Sequence, residues 1–161
     1  MTPSGRKILI KEQDFIDQHQ HAAVMLITDL TSVLLIVRNV RQGDPWSGQI
    51  ALPGGFRKPG EDLRLTAERE TKEEVHIDLK ADGYIGTYST MHGKKLVGVF
   101  YSIVKSRPSA EPGDEVSDVH WVGVSEFRAS KMENGFSSLD YAGGRIWGLT
   151  YRILTSVIYD E

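Results

Sequence analysis

At 161 residues, with 40% hydrophobic and 25% charged residues and a formal net charge of −3, the chain has the bulk for one compact domain and the composition of a globular protein. That balance provides no global basic field for a nucleic acid, and the lack of cysteine excludes disulfides, thiolate metal sites and a cysteine nucleophile. The opening MTPSGRKILIKEQDF has no signal-peptide core and no run nears the roughly 18–20 apolar residues of a membrane span, so a cytoplasmic protein with no membrane partner is expected.

No repeat, low-complexity tract or linker divides the sequence, and a single domain over residues 1–161 is expected. HAAVMLI and SVLLIVR, separated by TDLT, read as the strands of a hairpin whose alternate residues are buried on both faces. NVRQGDPWSGQ is rich in turn formers and reads as a loop; IALPGG reads as a short strand ending in a glycine turn. Residues Asp62 to Val75 contain neither Pro nor Gly and predict a helix. YIGTYST, LVGVFYSIV and VHWVGV follow as strands, SEFRA as a short helix from Ser125, and RIWGLTYRILTSVIY as a closing helix with Gly148 inside it. Strands on both sides of a central helix, with a helix at the end, predict a mixed α/β layer fold.

The central helix carries the chemistry. On a wheel of 100° per residue with Leu63 at zero, Glu70, Glu73 and Glu74 fall at about −20°, −80° and +20°. They share that sector with Leu63 and Ala67, while Glu68 and Lys72 form an i,i+4 pair on the opposite, solvated side. Carboxylates beside apolar residues indicate a partly enclosed acidic site, which needs compensating charge. Arg69 is placed to brace the helix, and a hard divalent cation, Mg²⁺ or Mn²⁺, suits carboxylate oxygens better. Just upstream, LPGGFRKPGE supplies Gly54, Gly55 and Gly60 for tight turns and close approach to a ligand, and delivers Glu61 to the helix N-terminus.

Gly55, Glu61 and the run Arg69-Glu70-x-x-Glu73-Glu74 stand at the spacing G-x5-E-x7-R-E-U-x-E-E-x-G-U, and the chain closely resembles the Nudix family through that box. Thr71 takes an aliphatic position of the box and His76 its final glycine. The resemblance implies a Nudix α/β/α sandwich with a mixed central sheet, and hydrolysis of a nucleoside diphosphate linked to another group. It implies Glu70, Glu73 and Glu74 as ligands of Mg²⁺ or Mn²⁺, with Glu61 supporting the metal site directly or through water. Arg69 would hold the glutamates in place.

Outside the box, LLIVRNVRQGDPWSGQIALPGG and IWGLTYRIL are similar to stretches of the coenzyme-A pyrophosphatase group, although Trp46-Ser47-Gly48 replaces the histidine-glycine pair often found there. A coenzyme-A-like nucleoside diphosphate derivative is therefore the expected small-molecule partner, with ADP-ribose, NADH or an oxidised nucleoside triphosphate as alternatives. A homodimer is left open. Arg38 and Arg41 offer guanidinium forks to phosphate; Gln49, Gly54 and Gly55 complete the expected substrate contacts, and Trp46 offers a ring for stacking. The resemblance also implies a downstream carboxylate that completes the metal site or acts as general base, and Glu115, within the acidic stretch EPGDEVSD, is the residue expected there, with His92 as the alternative for proton transfer; Lys94 and Lys95 offer charge to phosphates. The competing reading of another class is a Nudix-fold module that binds a nucleotide without cleaving it. Retention of every box glutamate argues against that reading.

Overall fold

A computed structural model of the chain describes residues 5–43, 47–90 and 93–160. The apolar runs form β2 (Ala22–Thr28) and β3 (Ser32–Arg38). They join as an antiparallel hairpin at the pair Thr28–Val33 and then part. Into the gap between them run β4 (Ile50–Ala51), paired with β3, and β5 (Gly54–Phe56), paired with β2. The outer edge of β2 pairs in parallel with β7 (Leu96–Ile103), which pairs in turn with β6 (Gly83–Ser89), while β8 (Val116–Gly123) lies along the outer edge of β3. One parallel ladder among antiparallel ones makes this seven-stranded sheet mixed.

Because strand side chains alternate with period two, β2 and β3 feed two separate cores. Ala23, Met25, Ile27, Leu34 and Ile36 pack with Leu63, Ala67 and Val75 of α1 (Leu63–Val75) on one face. Leu26, Val33 and Leu35 pack with Ile153, Leu154 and Val157 of α2 (Gly148–Val157) on the other. The sheet is thus covered on both sides, as the expected sandwich requires.

The shorter elements depart from expectation. SEFRA is not a helix: a single 3-10 turn, Val124–Glu126, gives way to β9 (Arg128–Lys131). Phe127, the residue after the turn, is extended and buried in the α2-side core. β9 pairs with β10 (Ser137–Tyr141), and β10 with β11 (Gly144–Ile146), so Arg145 and Ile146 belong to a strand and the closing helix starts only at Gly148. It stops at Val157, where β12 (Ile158–Asp160) pairs with β1 (Arg6–Ile8) and brings the two ends of the described chain together. Among the described residues, no helix is long and apolar enough to cross a membrane.

Candidate active site

The helix that carries the glutamates begins where its sequence says it should. Asp62 is the N-cap, its carboxylate accepting the Arg64 N–H at 2.9 Å. Thr71, at the box's aliphatic position, is buried, and its hydroxyl donates to the Ala67 carbonyl at 2.8 Å, so the polar atom costs little there. His76 occupies the left-handed region with φ 58°, the C-terminal conformation that glycine adopts most readily. Its N–H donates to the Lys72 carbonyl at 3.1 Å, so the turn after the helix survives the loss of the box's glycine.

Gly54 and Gly55 do not form a turn. Both lie within strand β5, and close approach rather than a turn explains the absence of side chains. A Cβ on Gly54 would collide with the Ala23 carbonyl oxygen of β2; one on Gly55 would stand 2.5 Å from the Glu70 carboxyl carbon. The second contact shows how tightly α1 is laid against β5. Through it the Gly54 N–H donates to Glu74 Oε1 at 2.7 Å. Gly60 does turn the chain, with φ 74°.

Glu74 is 4% exposed, and burial pushes its carboxyl up to about 8; Glu70 and Glu115 push the same way, while the Gly54 N–H and Arg38 oppose them. Arg38 Nη1 stands 3.8 Å from Glu74 Oε2. Glu70 is likewise raised by burial, against the 2.8 Å hydrogen bond it accepts from Arg69 Nη1. Arg69 does more than brace the helix. Its guanidinium donates to Glu61 from Nε at 2.8 Å and from Nη2 at 3.0 Å, to the Phe56 carbonyl at 3.1 Å, and from Nη1 to Glu70 and Glu73. Held by Arg69 and by the Thr66 hydroxyl, the Glu61 carboxyl drops to about 2.

Glu73 is about half exposed and lies 3.3 Å from Arg69 Nη1. Among the described residues no three acidic or imidazole groups stand close enough together to hold a metal ion. The convergence expected of Glu70, Glu73 and Glu74 is therefore incomplete in this conformation, because Arg69 draws Glu70 and Glu73 to itself. Glu68 departs from the wheel: it is not on a wet face. It is 9% exposed, accepts the Ala81 N–H at 2.8 Å and pairs with Arg64 at 3.2 Å instead of with Lys72. The chain leaving α1 folds back over that side of the helix, which a wheel cannot show.

The loop before β8 is fastened to the end of α1. The Glu111 N–H donates to the Val75 carbonyl at 3.1 Å and the Gly113 N–H to the Glu74 carbonyl at 2.9 Å, satisfying acceptors left open at a helix terminus. A Cβ on Gly113 would collide with the Glu73 carbonyl oxygen, so glycine is required at that crossing. Pro112-Gly113 is the local sequence signal of this crossing. The loop ends at Glu115, whose carboxylate is exposed and lies 3.7 Å from Arg41 Nη1. Arg38, Asn39, Arg41 and Glu115 together line a small recess beside Glu74.

Gln49 stands on the far side of β3, its carbonyl accepting the Arg38 N–H at 2.9 Å. It lines a larger cleft of about 360 Å³ with Val37, Ile50, Gly143, Gly144 and Trp147, among others. The resemblance in IWGLTYRIL covered Trp147, yet nothing local in the sequence pointed to its position opposite Gln49. Lys95 lies over the Phe56 ring at 5.9 Å, and Lys94 is exposed. Trp46 and His92 lie outside the described residues.

Residues 17–139 match the model of the NUDIX domain, and the chain belongs to the Nudix family. An uncharacterised protein of Schizosaccharomyces pombe is 42% identical over 76 residues, 47% of this chain and 23% of that protein. An ADP-ribose pyrophosphatase of Methanocaldococcus jannaschii is 33% identical over 88 residues, 52% of this chain and 51% of the relative. The chain thus spans about half or less of the curated relatives it matches. Among solved structures, a bifunctional NMN adenylyltransferase/ADP-ribose pyrophosphatase from Francisella tularensis, in complex with AMP and a manganese ion, superposes with a TM-score of 0.62 at 20% identity. That match covers 91% of this chain and 41% of the other, and shows a shared fold.

Proposed function

We propose that the chain is a pyrophosphohydrolase that cleaves the diphosphate linkage of a nucleoside diphosphate derivative. The observation that carries this reading is the pair of enclosed carboxylates, Glu70 and Glu74, both raised by burial: Glu70 shares the Arg69 guanidinium with Glu61 and Glu73, and Glu74 faces Arg38 at 3.8 Å, beneath a rim bearing Arg38, Arg41 and Glu115. Structural charge pairs are normally balanced; an imbalance of this kind is stabilised by a ligand that brings positive charge.

Hard carboxylate oxygens fit Mg²⁺ or Mn²⁺. Glu70, Glu73 and Glu74 would hold the ion once Glu73 turns away from Arg69, with Glu61 acting through Arg69. When bound, the ion supplies charge neutralisation at the diphosphate and acidity to an attacking water. The remaining work falls to the chain. Arg38 and Arg41 orient the diphosphate through guanidinium–phosphate hydrogen bonds. Glu115 accepts the proton of the attacking water, freed from Arg41 as the phosphates take over that guanidinium. The glycines of β5 let Glu70 lie directly against that strand, which fixes the carboxylate's place. Positioning and charge stabilisation suffice for this chemistry, so no covalent nucleophile is needed.

ADP-ribose heads the substrates on the strength of the Methanocaldococcus relative. Coenzyme A is the second reading, favoured by Gln49 and Trp147, which come from the two stretches similar to the coenzyme-A group and line one cleft. Both compounds share an adenosine diphosphate. A panel of ADP-ribose, coenzyme A, NADH and an oxidised nucleoside triphosphate, assayed with Mg²⁺ or Mn²⁺ and followed by product identification, ranks them. Tight nucleotide binding without turnover of any member would instead support the binding-module reading.

A further inference from the structure

We infer that the cleft between the β4 strand and the β10–β11 turn seats the nucleobase of the substrate, with Trp147 as the surface on which the ring stacks. This rests on the nucleotide-derivative reading above and deepens it. The cleft has a volume of about 360 Å³, within the usual range for small-molecule sites, which are largely apolar with a few polar groups. Its walls have that character: Val37, Ile50 and the Trp147 indole are apolar, and Ser47 and Gln49 offer polar groups to the edge of a ring. Trp147 is 36% exposed, and it lines this cleft.

The position is equally specific. Val37 lines the cleft and the next residue, Arg38, approaches Glu74 on the other side of the sheet. Gln49 is tied to Arg38 through its backbone. The cleft and the Arg38 guanidinium thus share the end of β3 on opposite faces of the sheet, and a nucleotide with its phosphates at Arg38 would pass its base around that end to enter the cleft.

The far wall is built to stay in place. A Cβ on Gly144 would stand 2.5 Å from Ile50 Cδ1, and one on Gly143 would meet the rings of Tyr141 at 2.5 Å and His120 at 2.9 Å. The turn thus closes directly onto β4 and onto a hydrogen-bonded chain behind it. In that chain His120 Nδ1 meets the Tyr141 hydroxyl at 2.9 Å and Nε2 meets Asp118 at 2.8 Å. Arg145, at the same turn, is clamped by two hydrogen bonds to Asp140 at 2.9 and 3.0 Å. Rigid walls hold a stacking surface at fixed spacing, which lowers the ordering cost of binding.

The test compares AMP with ribose 5-phosphate, which keeps the sugar and phosphate and lacks the base, by titration calorimetry with Mg²⁺ on wild type, Trp147→Ala and Trp147→Phe. Loss of a base–aromatic stack weakens binding by roughly tenfold. AMP affinity should fall by about that factor in Trp147→Ala, stay near wild type in Trp147→Phe, and ribose 5-phosphate should be indifferent to both. Should the alanine variant not fold, the Trp147 indole N–H resonance of wild type, assigned by its loss in Trp147→Phe, must shift with AMP and not with ribose 5-phosphate. Equal AMP affinity in wild type and Trp147→Ala, an indole resonance that ignores AMP, or no AMP binding by wild type overturns the inference. Base-dependent binding without hydrolysis of any panel member would refute the hydrolase reading alone. Hydrolysis with base-independent binding would refute the cleft alone.

Discussion

Glu74→Gln should make the metal-free protein more stable at high pH while abolishing its activity. The Glu74 carboxyl sits near 8 in the folded protein against an ordinary 4.5. Below 4.5 it is protonated whether folded or not and contributes nothing to pH dependence. From 4.5 to about 8 the unfolded chain releases the proton and the folded one keeps it, so stability falls as pH rises. Above 8 the penalty is constant. At 1.36 kcal/mol per unit, the ceiling is about 5 kcal/mol; relaxation around the charge and the nearby Arg38 reduce the expected gain to about 1–3 kcal/mol. Glutamine keeps an oxygen for the Gly54 N–H, so the 2.7 Å hydrogen bond need not be lost. Denaturant unfolding in EDTA at pH 5, 7 and 9 measures the difference. The variant should match wild type at pH 5 and exceed it progressively to pH 9. A difference independent of pH, or a variant that loses stability as pH rises, would refute the argument that Glu74 is held by burial at an electrostatic cost. Added Mg²⁺ or Mn²⁺ should reverse the order, stabilising wild type by mass action and leaving the variant unmoved.

Three further outcomes are expected. Arg69→Gln removes the partner that keeps Glu61 near 2, so the stability Glu61 gives above pH 4.5 and loses as pH falls toward 2 should disappear. Acid unfolding curves should show an acid limb flatter by about 1–2 kcal/mol, a figure discounted for solvent screening. Gly55→Ala sets a methyl 2.5 Å from the Glu70 carboxyl carbon and should displace that side chain, lowering kcat/KM at least tenfold; a fully active variant would show that Glu70 need not lie against β5. His76→Gly relieves a left-handed non-glycine residue and should stabilise the fold by up to about 1 kcal/mol, read as a rise in Tm; a fall in Tm would mean that the histidine side chain contributes more than its backbone conformation costs.

What could be read from the sequence was what is encoded locally. The long apolar strands show themselves by β-branched runs, and α1 by its cap, its spacing and its freedom from Pro and Gly. The box residues come together because a strand, a turn and a helix are consecutive in the chain. The misreadings are tertiary. Glu68 is buried by a segment 13 residues downstream, which supplies the Ala81 N–H. Gly54 and Gly55 resemble turn glycines in sequence, and only the approach of β2 and Glu70 shows why side chains are excluded. β9 to β11 contain largely exposed polar residues, such as Arg128, Lys131 and Ser137, and carry little hydrophobic periodicity. The cleft joins Gln49 to Trp147, 98 positions apart, and no short-range pattern records that meeting.

The central claim is that the box carboxylates serve hydrolysis of a diphosphate linkage. Phosphorus NMR of ADP-ribose and coenzyme A incubated with wild type and with Glu73→Gln, in Mg²⁺ or Mn²⁺, tests it most directly. Glu73 is exposed at the helix surface, so its substitution should leave the fold intact. Wild type should convert the diphosphate signals of at least one substrate into two phosphomonoesters, only with metal, and Glu73→Gln should do so slower by orders of magnitude. Equal rates for the two proteins, or diphosphate signals that persist with wild type at every metal concentration, would contradict the account.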